Sequence, residues 1–407
     1  MSSAAAQDTD TSIAGVRLAT VEAGIRYPDR RDLVAIAFDE GVVASAVFTQ
    51  NAFCAAPVQI ARDHLKACGF SPRLLLINTG NANAGTGEPG LQAAMDCCQA
   101  AADEAGVPVS SVLPFSTGVI GEDLPVDRIT DAMPRLLGSL SADGWETAAE
   151  GILTTDTRPK LRSLSFTVEG RDYRITGIAK GSGMIRPNMA TMLAFIATDA
   201  PISQVLLDEC LREAVEESFH RVTVDGDTST NDAVLLAATG AAGGDTVVER
   251  DEPLAQVFSE TLGSLCIELA QELVRDGEGA SKFVEVAIEG GKTSQECLDV
   301  AFTVAHSPLV KTALFAEDPN WGRVLAAIGR AGVEDLDIDG VRLAINDVLI
   351  AEKGARASSY DEAVLAERMS GTDLRLLISL GRGDARETVW TTDFSYDYVR
   401  INAEYRS

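Results

Sequence analysis

One segment of the sequence combines a threonine with a lysine and several glycines in a way that could support acyl transfer. Residues 180–195 read KGSGMIRPNMATMLAF. Gly181, Gly183 and Pro187 interrupt regular structure, and an apolar, strand-like run begins near Thr191. A threonine hydroxyl is a poor nucleophile unless a base takes its proton. A chain cut just before the threonine supplies that base, because the new α-amino group has a pKa of about 7.7 to 8.0.

The hydroxyl of Thr191 could itself make that cut, through an N-to-O acyl shift at a strained peptide bond. The residues also allow a simpler interpretation, in which Lys180 to Asn188 form a surface loop and Thr191 only begins a strand. Self-cleavage is therefore one of two hypotheses that residue chemistry leaves open.

Histidine, disulfide and metal chemistry have little support in the sequence. The three histidines, His64, His220 and His306, lie outside any recognisable catalytic motif. The seven cysteines contain no C-x-x-C pair, which argues against a zinc site or a disulfide framework. We therefore expect no metal site, and free thiols in a reducing compartment.

The composition predicts a globular protein that avoids nucleic acid and membranes. The chain has 407 residues, of which 46% are hydrophobic, and its net charge is −27. Such an acidic surface repels phosphate backbones and anionic lipids. No stretch reaches the roughly 18 unbroken apolar residues of a membrane span, and residues 1–12 do not resemble a signal peptide. We therefore expect a soluble, cytoplasmic protein.

Hydrophobic periodicity predicts a mixed α/β chain around the threonine segment. The predicted strands include two around a turn at residues 34–49, one at 73–78, a hairpin at 164–179, and one at 283–288. The predicted helices cover residues 91–105, 203–221, 253 to just before 277, 293–306 and 321–330. The C-terminal part is predicted as strands at 374–380, 387–391 and 398–402 with a helix around 360–369. A weak domain boundary lies near Gly290 and Gly291.

Several long motifs accompany the threonine segment in a fixed order. They read LPFSTGVIG at 113–121, TTDT at 154–157, VDGDTSTND at 224–232, DGEG at 276–279, SPLVKT at 307–312, DPNWGR at 318–323 and DYVRINAEYRS at 397–407. Together these motifs resemble the glutamate N-acetyltransferase/ornithine acetyltransferase family (ArgJ family). The resemblance extends along essentially the whole chain, which makes it far more specific than any single motif.

The resemblance implies a self-cleaving acetyltransferase. The chain would cut itself between Ala190 and Thr191 into an α chain (1–190) and a β chain (191–407). Thr191 would then take the acetyl group of N2-acetyl-L-ornithine and pass it to L-glutamate in the route to arginine, by a ping-pong mechanism. No cofactor is implied, but acetyl-CoA is left open as a second acetyl donor. The implied assembly is α2β2.

The same resemblance assigns the site residues. Thr117 and Gly118 correspond to the oxyanion hole, which stabilises the oxygen that gains charge during acyl transfer. The substrate-binding positions are Thr154, Lys180, Thr191, Glu278, Asn402 and Ser407. Lys180 could meet a substrate carboxylate and Glu278 a substrate amine.

This chain departs from the family pattern at three positions. Ser407 stands where the family usually ends in threonine, although it keeps the hydroxyl. Arg186 and His220 stand where a small residue and asparagine are common.

The implied architecture is a layered αββα-type sandwich with a smaller C-terminal α/β domain from about residue 291. The N-terminal part of the sandwich would belong to the α chain. One alternative is a self-cleaving aminopeptidase or amidase of the same architecture, in which water replaces glutamate. Another is a non-catalytic binding protein, which the joint presence of Thr117, Gly118, Lys180 and Thr191 disfavours.

Overall fold

The computed structural model describes residues 10–186 and 192–404, together with the backbone of residues 6–7. Counting only these residues, the chain forms two compact units. The first unit is drawn from Met1–Gly181, Asn188–His220 and Thr228–Leu273. The second is drawn from Ser182–Pro187, Arg221–Asp227 and Val274–Ser407.

Strands and helices alternate along both units, which confirms the mixed α/β prediction. The strands are β1 (Ala6–Gln7), β2 (Val16–Val21), β3 (Leu33–Phe38), β4 (Val43–Phe48), β5 (Leu74–Asn81), β6 (Val112–Val119), β7 (Lys160–Val168), β8 (Arg171–Lys180), β9 (Leu193–Thr198), β10 (Ala233–Ala238), β11 (Phe283–Gly291), β12 (Arg342–Ile345), β13 (Val348–Glu352), β14 (Ala355–Arg356), β15 (Asp373–Ser379) and β16 (Ala385–Thr392). The helices are α1 (Ala56–Ala67), α2 (Gly87–Ala105), α3 (Val126–Leu137), α4 (Trp145–Gly151), α5 (Gln204–Glu217), α6 (Pro253–Arg275), α7 (Ser294–Ala305), α8 (Pro308–Phe315), α9 (Trp321–Gly329), α10 (Glu362–Met369) and α11 (Tyr396–Ala403).

Two sheets pack face to face in the first unit. One has the order β1-β7-β8-β9-β10-β4 and the other the order β2-β3-β5-β6. Their shared core includes Ile36, Ile77 and Phe115 from the smaller sheet and Phe195 and Leu235 from the larger one. The Phe115 and Phe195 rings meet edge to face, with centroids 5.0 Å apart.

Helices cover the outer faces of both sheets, which confirms the αββα sandwich. Apolar residues of α2 and α3 share a second core with the smaller sheet. On the larger sheet, α5 packs against β4, and Leu265 and Leu269 of α6 lie over Gly177 of β8. Fully apolar strands, such as β10, are buried on both faces for this reason.

The second unit has its own sheet and core. Its strand order is β14-β13-β12-β15-β11-β16, and α7, α9 and α10 contribute to the core on this sheet. The sequence suggests a boundary near residue 291, whereas Phe283–Gly291 lies inside this unit. β11 pairs with both β15 and β16, so the C-terminal portion of the unit begins earlier, at Val274.

Two local predictions were wrong. Residues 398–402 belong to α11, not to a strand, because the Ser395 hydroxyl caps a helix there by accepting from the backbone N–H of Asp397 and Tyr398. The strands predicted at 34–49 exist as β3 and β4, but they lie in different sheets and do not form a hairpin.

Candidate active site

Thr117 and Gly118 lie near the end of β6, the outer strand of the smaller sheet of the first unit. Gly118 has φ +137°, and a Cβ atom there would lie 2.5 Å from the backbone nitrogen of Asn81. Only glycine fits this close approach. On the open side of β6, the Ser116 carbonyl accepts a hydrogen bond from Asn231 Nδ2 at 2.9 Å. Along a strand, the backbone N–H and C=O groups of every second residue point to the same edge. We therefore expect the Gly118 N–H to point to the same side of β6 as the Ser116 carbonyl.

Lys180 ends β8 and reaches Thr117. Its Nζ donates to Thr117 Oγ1 at 3.2 Å, and both side chains are buried. An ammonium group can only donate, so the Thr117 hydroxyl accepts and keeps its own proton for another acceptor. The pair is therefore suited to bind a developing oxyanion.

Asp156 connects several residues of this cluster, and the sequence reasoning did not select it. Asp156 Oδ2 accepts from the backbone N–H of Thr154 at 3.1 Å, and Oδ1 accepts from that of Gly181 at 2.7 Å. Oδ1 also accepts from Lys160 Nζ at 2.7 Å. Burial raises the pKa of Asp156, but the nearby ammonium groups of Lys180 and Lys160 outweigh it and bring the pKa to about 2. The only sequence signal for this role was the position of Asp156 inside the TTDT motif.

Asp232 is a second buried carboxylate that sequence reasoning missed. Its Oδ1 accepts from the backbone N–H of Met192 at 2.9 Å. Its Oδ2 is buried and has no hydrogen-bond partner among the described residues. Burial raises the pKa of Asp232 well above its ordinary value. Asp232 therefore anchors the residue that directly follows Thr191 in the sequence.

The predicted nucleophile and cleavage site lie outside the described residues. These are Ala190 and Thr191, and the predicted substrate-binding Ser407 lies outside them too. β8 and β9 run antiparallel, with Lys180 opposite Leu193. The roles of Ala190, Thr191 and Ser407 stay predictions.

The second unit brings two of the predicted substrate-binding residues together. Asn402 Nδ2, on α11, donates to Glu278 Oε2 at 2.8 Å. The backbone N–H of Glu278 donates to the Ser182 carbonyl at 2.8 Å. A Cβ atom on Gly183 would lie 2.6 Å from Glu278 Oε1, so the glycine lets the backbone pass against the carboxylate. Glu278 is thus a fixed negative charge that could bind an ammonium group.

A half-buried aspartate fixes the chain just before the predicted cleavage segment. Asp225 accepts from the backbone N–H of Met184 at 2.6 Å and of Ile185 at 3.0 Å, and from Tyr398 Oη at 3.3 Å. Burial raises the pKa of Asp225, and the nearby Asp227 and Glu278 raise it further. Met184 has φ +56°, a conformation that costs free energy and needs this support.

Two of the three departures from the family pattern, Arg186 and His220, take no part in these hydrogen bonds. Arg186 is exposed, and His220 Nδ1 lies 2.8 Å from Glu216 Oε2 on α5. In the portion of the chain with described positions, no group of three or more His, Cys, Asp or Glu side chains could hold a metal ion. No described helix is long and apolar enough to cross a membrane.

Comparison with known proteins identifies the family. The model of the ArgJ family matches residues 17–407. The chain is 53% identical over 395 residues to the arginine biosynthesis bifunctional protein ArgJ of Pseudomonas syringae pv. tomato, with 97% of each chain covered. This chain belongs to the ArgJ family. The protein of the same description from Psychrobacter arcticus is 53% identical over 403 residues, with 99% of this chain and 98% of the relative covered.

A solved structure of ArgJ from Bacillus halodurans is also similar to this chain. It is 36% identical, covers 52% of this chain and 98% of its own, and has a TM-score of 0.49.

Proposed function

We propose that this ArgJ family chain moves the acetyl group of N2-acetyl-L-ornithine to L-glutamate, giving L-ornithine and N-acetyl-L-glutamate for arginine biosynthesis. The observation that carries the proposal is the family match over residues 17–407, together with relatives at 53% identity that are named arginine biosynthesis bifunctional proteins. The buried Thr117–Lys180 pair supports it, because acyl transfer needs donors for an oxyanion.

Maturation would begin when Thr191 Oγ attacks the carbonyl carbon of Ala190. The C–N bond breaks, the acyl group moves to oxygen, and the nitrogen of Thr191 becomes an amine. Water then hydrolyses the ester, leaving a carboxylate on Ala190 and a free hydroxyl on Thr191. The hydrogen bond from Met192 N–H to Asp232 would hold the adjoining backbone in place.

Transfer would then use the same hydroxyl. The α-amine of Thr191 takes the hydroxyl proton while Oγ attacks the acetyl carbonyl, and the oxyanion is bound by the Thr117 hydroxyl and the Gly118 N–H. The acetyl C–N bond breaks, the proton passes to the leaving nitrogen, and ornithine departs from an acetyl-Thr191 ester. The amine of glutamate attacks this ester and regenerates the hydroxyl.

The remaining predicted residues would bind substrate. Lys180 and Thr154 offer an ammonium and a hydroxyl for carboxylate oxygens. The Glu278 carboxylate, fixed by Asn402, offers a charge for an ammonium group. Ser407 completes this proposed set.

Three further features belong to the proposal. The name of the relatives, bifunctional protein, favours acetyl-CoA as a second acetyl donor to glutamate. We also propose an α2β2 assembly, which the mass of the native protein would test. The seven cysteines are all free, which supports a reducing, cytoplasmic location.

The experiment compares ornithine release with and without L-glutamate. The proposal predicts that sustained release from N2-acetylornithine requires glutamate and yields one N-acetylglutamate per ornithine. Sustained release with free acetate and without glutamate would instead identify the aminopeptidase or amidase alternative. Thr191→Ala should abolish release, whereas Thr303→Ala, a helix threonine of α7, should leave it unchanged.

A further inference from the structure

The part of the second unit that leads toward the predicted cut is held by hydrogen bonds that the proposed reaction does not use. Asp225 accepts from the backbone N–H of Met184 at 2.6 Å through Oδ2 and from that of Ile185 at 3.0 Å through Oδ1. The Ile185 carbonyl accepts from the backbone N–H of Val224 at 2.9 Å and from Thr223 Oγ1 at 2.9 Å. We refer to residues 223–225 as the clamp, because they fix both neighbours through backbone groups.

The clamp is itself held in place within the second unit. Asp225 Oδ1 also accepts from the backbone N–H of Asp227 at 3.2 Å, and Oδ2 accepts from Tyr398 Oη at 3.3 Å. The N–H donors favour the ionised form of this carboxylate and oppose the effect of burial on its pKa. Thr223 is completely buried, and its Oγ1 lies 3.0 Å from His306 Nε2. The acceptors that meet residues 184–185 are therefore fixed.

The clamp maintains a backbone conformation that is unfavourable on its own. Met184 has φ +56°, in the left-handed region that residues with a side chain rarely adopt. Such a residue persists only where its surroundings enforce the conformation. Without the Asp225 acceptor, Met184 would return to a negative φ. Rotation about one backbone bond turns the whole chain that follows, which here leads to Ala190.

The direction of this chain matters for the proposed maturation. Attack by a hydroxyl requires reacting atoms about 3–3.5 Å apart, and a misplacement of about 1 Å can lower the rate roughly 100-fold. The bond from Met192 N–H to Asp232 supports only the residue that follows Thr191. The proposed maturation therefore assigns no support to the residues before the cut.

We propose that Asp225 is a positioning residue for self-cleavage and that Thr223 assists it by holding Ile185. The clamp fixes Met184 and Ile185 and so directs the following chain, which presents the Ala190 carbonyl to the Thr191 hydroxyl. Asp225 takes no part in the bond changes, which stay those given for maturation. The inference rests on the self-cleavage step of the proposed function and is independent of the acetyl donor and acceptor.

Two other roles for the clamp make different predictions. The residues just before Met184, Ser182 and Gly183, lie against Glu278, so the clamp would in one case support the proposed substrate-binding carboxylate. Loss of the clamp would then raise KM for N2-acetylornithine and leave the rate of cleavage unchanged. A purely structural role would lower the stability of the precursor without slowing cleavage in the molecules that fold.

The test measures the first-order rate constant of cleavage after cell-free synthesis of the whole chain, with precursor and fragments quantified by intact mass. Asp225→Asn keeps the shape of the side chain, but its amide nitrogen cannot accept, so one side of the group loses its hydrogen bonds. We expect cleavage to slow about 10- to 100-fold. The chains that do mature should keep kcat and KM within about threefold of the parent.

Asp393→Asn is the matched control. Asp393 is a buried aspartate of the same unit, and its Oδ1 accepts from the consecutive backbone N–H groups of Ser281 and Lys282, each at 2.9 Å. Its removal disturbs a similar arrangement away from the chain that leads to the cut, so cleavage should stay within about twofold of the parent. Urea unfolding of both aspartate variants in the Thr191→Ala background compares their effects on the stability of the uncleaved precursor.

Thr223 gives a second test, which decides the matter if Asp225→Asn does not fold. Thr223→Val removes the hydroxyl that donates to the Ile185 carbonyl and keeps the shape of the side chain. We expect cleavage to slow about 3- to 10-fold, the typical range for one hydrogen bond. Thr223→Ser restores the hydroxyl and should recover the rate to within about twofold of the parent.

Cleavage of Asp225→Asn at the rate of the parent would overturn the inference, and so would an equal slowing in Asp393→Asn. A rise confined to KM, or Thr223→Ser cleaving no faster than Thr223→Val, would also overturn it. A parent chain that stays uncleaved would instead refute the proposed maturation. A parent that matures but transfers no acetyl group would refute the proposed reaction and leave the role of Asp225 standing.

Discussion

Gly118→Ala tests the oxyanion site most sharply. The alanine Cβ would lie 2.5 Å from the Asn81 backbone nitrogen and 2.7 Å from the Gly80 Cα, well inside the 3.4 Å at which ordinary contact begins. These are backbone atoms of the neighbouring strand, so β6 must move by most of an ångström. The φ of +137° adds strain for any residue with a side chain.

A displacement of about 1 Å at a reacting group can lower the rate roughly 100-fold, and loss of one oxyanion-hole donor about 10²- to 10³-fold. We therefore expect kcat of Gly118→Ala to fall by about 10²-fold or more. Overpacking should also lower the free energy of unfolding by about 1–3 kcal/mol. Steady-state acetyl transfer and urea unfolding, both on matured protein, measure the two effects.

Gly263→Ala is the matched control. This glycine lies in α6, and a Cβ there would meet nothing within 4 Å. Alanine should increase stability by about 0.5–1 kcal/mol and leave kcat unchanged. A Gly118→Ala enzyme with kcat within threefold of the parent would refute the assignment of this position to the oxyanion hole.

Three further predictions follow from the charges of the structure. Glu278→Gln should raise KM for N2-acetylornithine about tenfold, equivalent to about 1.4 kcal/mol. The control Glu285→Gln, in the same unit, should leave KM unchanged. Equal KM values for Glu278→Gln and the parent would contradict the substrate role of Glu278. Burial lowers the pKa of Lys311 from 10.5 to about 7, so between these pH values the folded state binds fewer protons than the unfolded state, and the free energy of unfolding should rise with pH. Between pH 7 and 9.5, urea titrations should show that the parent gains roughly 1–3 kcal/mol more than Lys311→Met does. Equal changes in the two proteins would contradict this prediction. The pKa of Asp232 is raised in the folded state, so its effect on stability is opposite, and the parent should lose stability as pH rises above about 4. Asp232→Asn lacks this titration and should therefore gain stability relative to the parent in the same urea titrations. No relative gain would count against the burial argument.

The sequence predicted elements whose signals are local. The helix that begins at Pro253 ends at Arg275, just before Gly277, and β9 coincides with the apolar run LAFIAT. The sequence did not predict that β3 and β4 join different sheets, because strand pairing depends on residues far along the chain. At residues 396–403, the Ser395 cap outweighed a strand-like pattern.

The candidate site likewise contains residues that the sequence indicated and residues that it did not. Motifs indicated Thr117, Gly118 and Lys180, and the structure brings the Thr117 hydroxyl and the Lys180 ammonium within hydrogen-bond distance. Asp156 and Asp232 were missed because each bonds a site backbone N–H that is distant in the sequence, 25 residues away at Gly181 and 40 residues away at Met192, and no spacing rule connects a buried carboxylate with such a group.

The most direct test of the proposed mechanism is intact mass under denaturing conditions after the purified protein is incubated with N2-acetylornithine and no acceptor. We predict two chains, residues 1–190 and 191–407, with one acetyl group on the chain that begins at Thr191. A single unmodified chain of 407 residues would contradict both the self-cleavage and the acetyl-threonine intermediate.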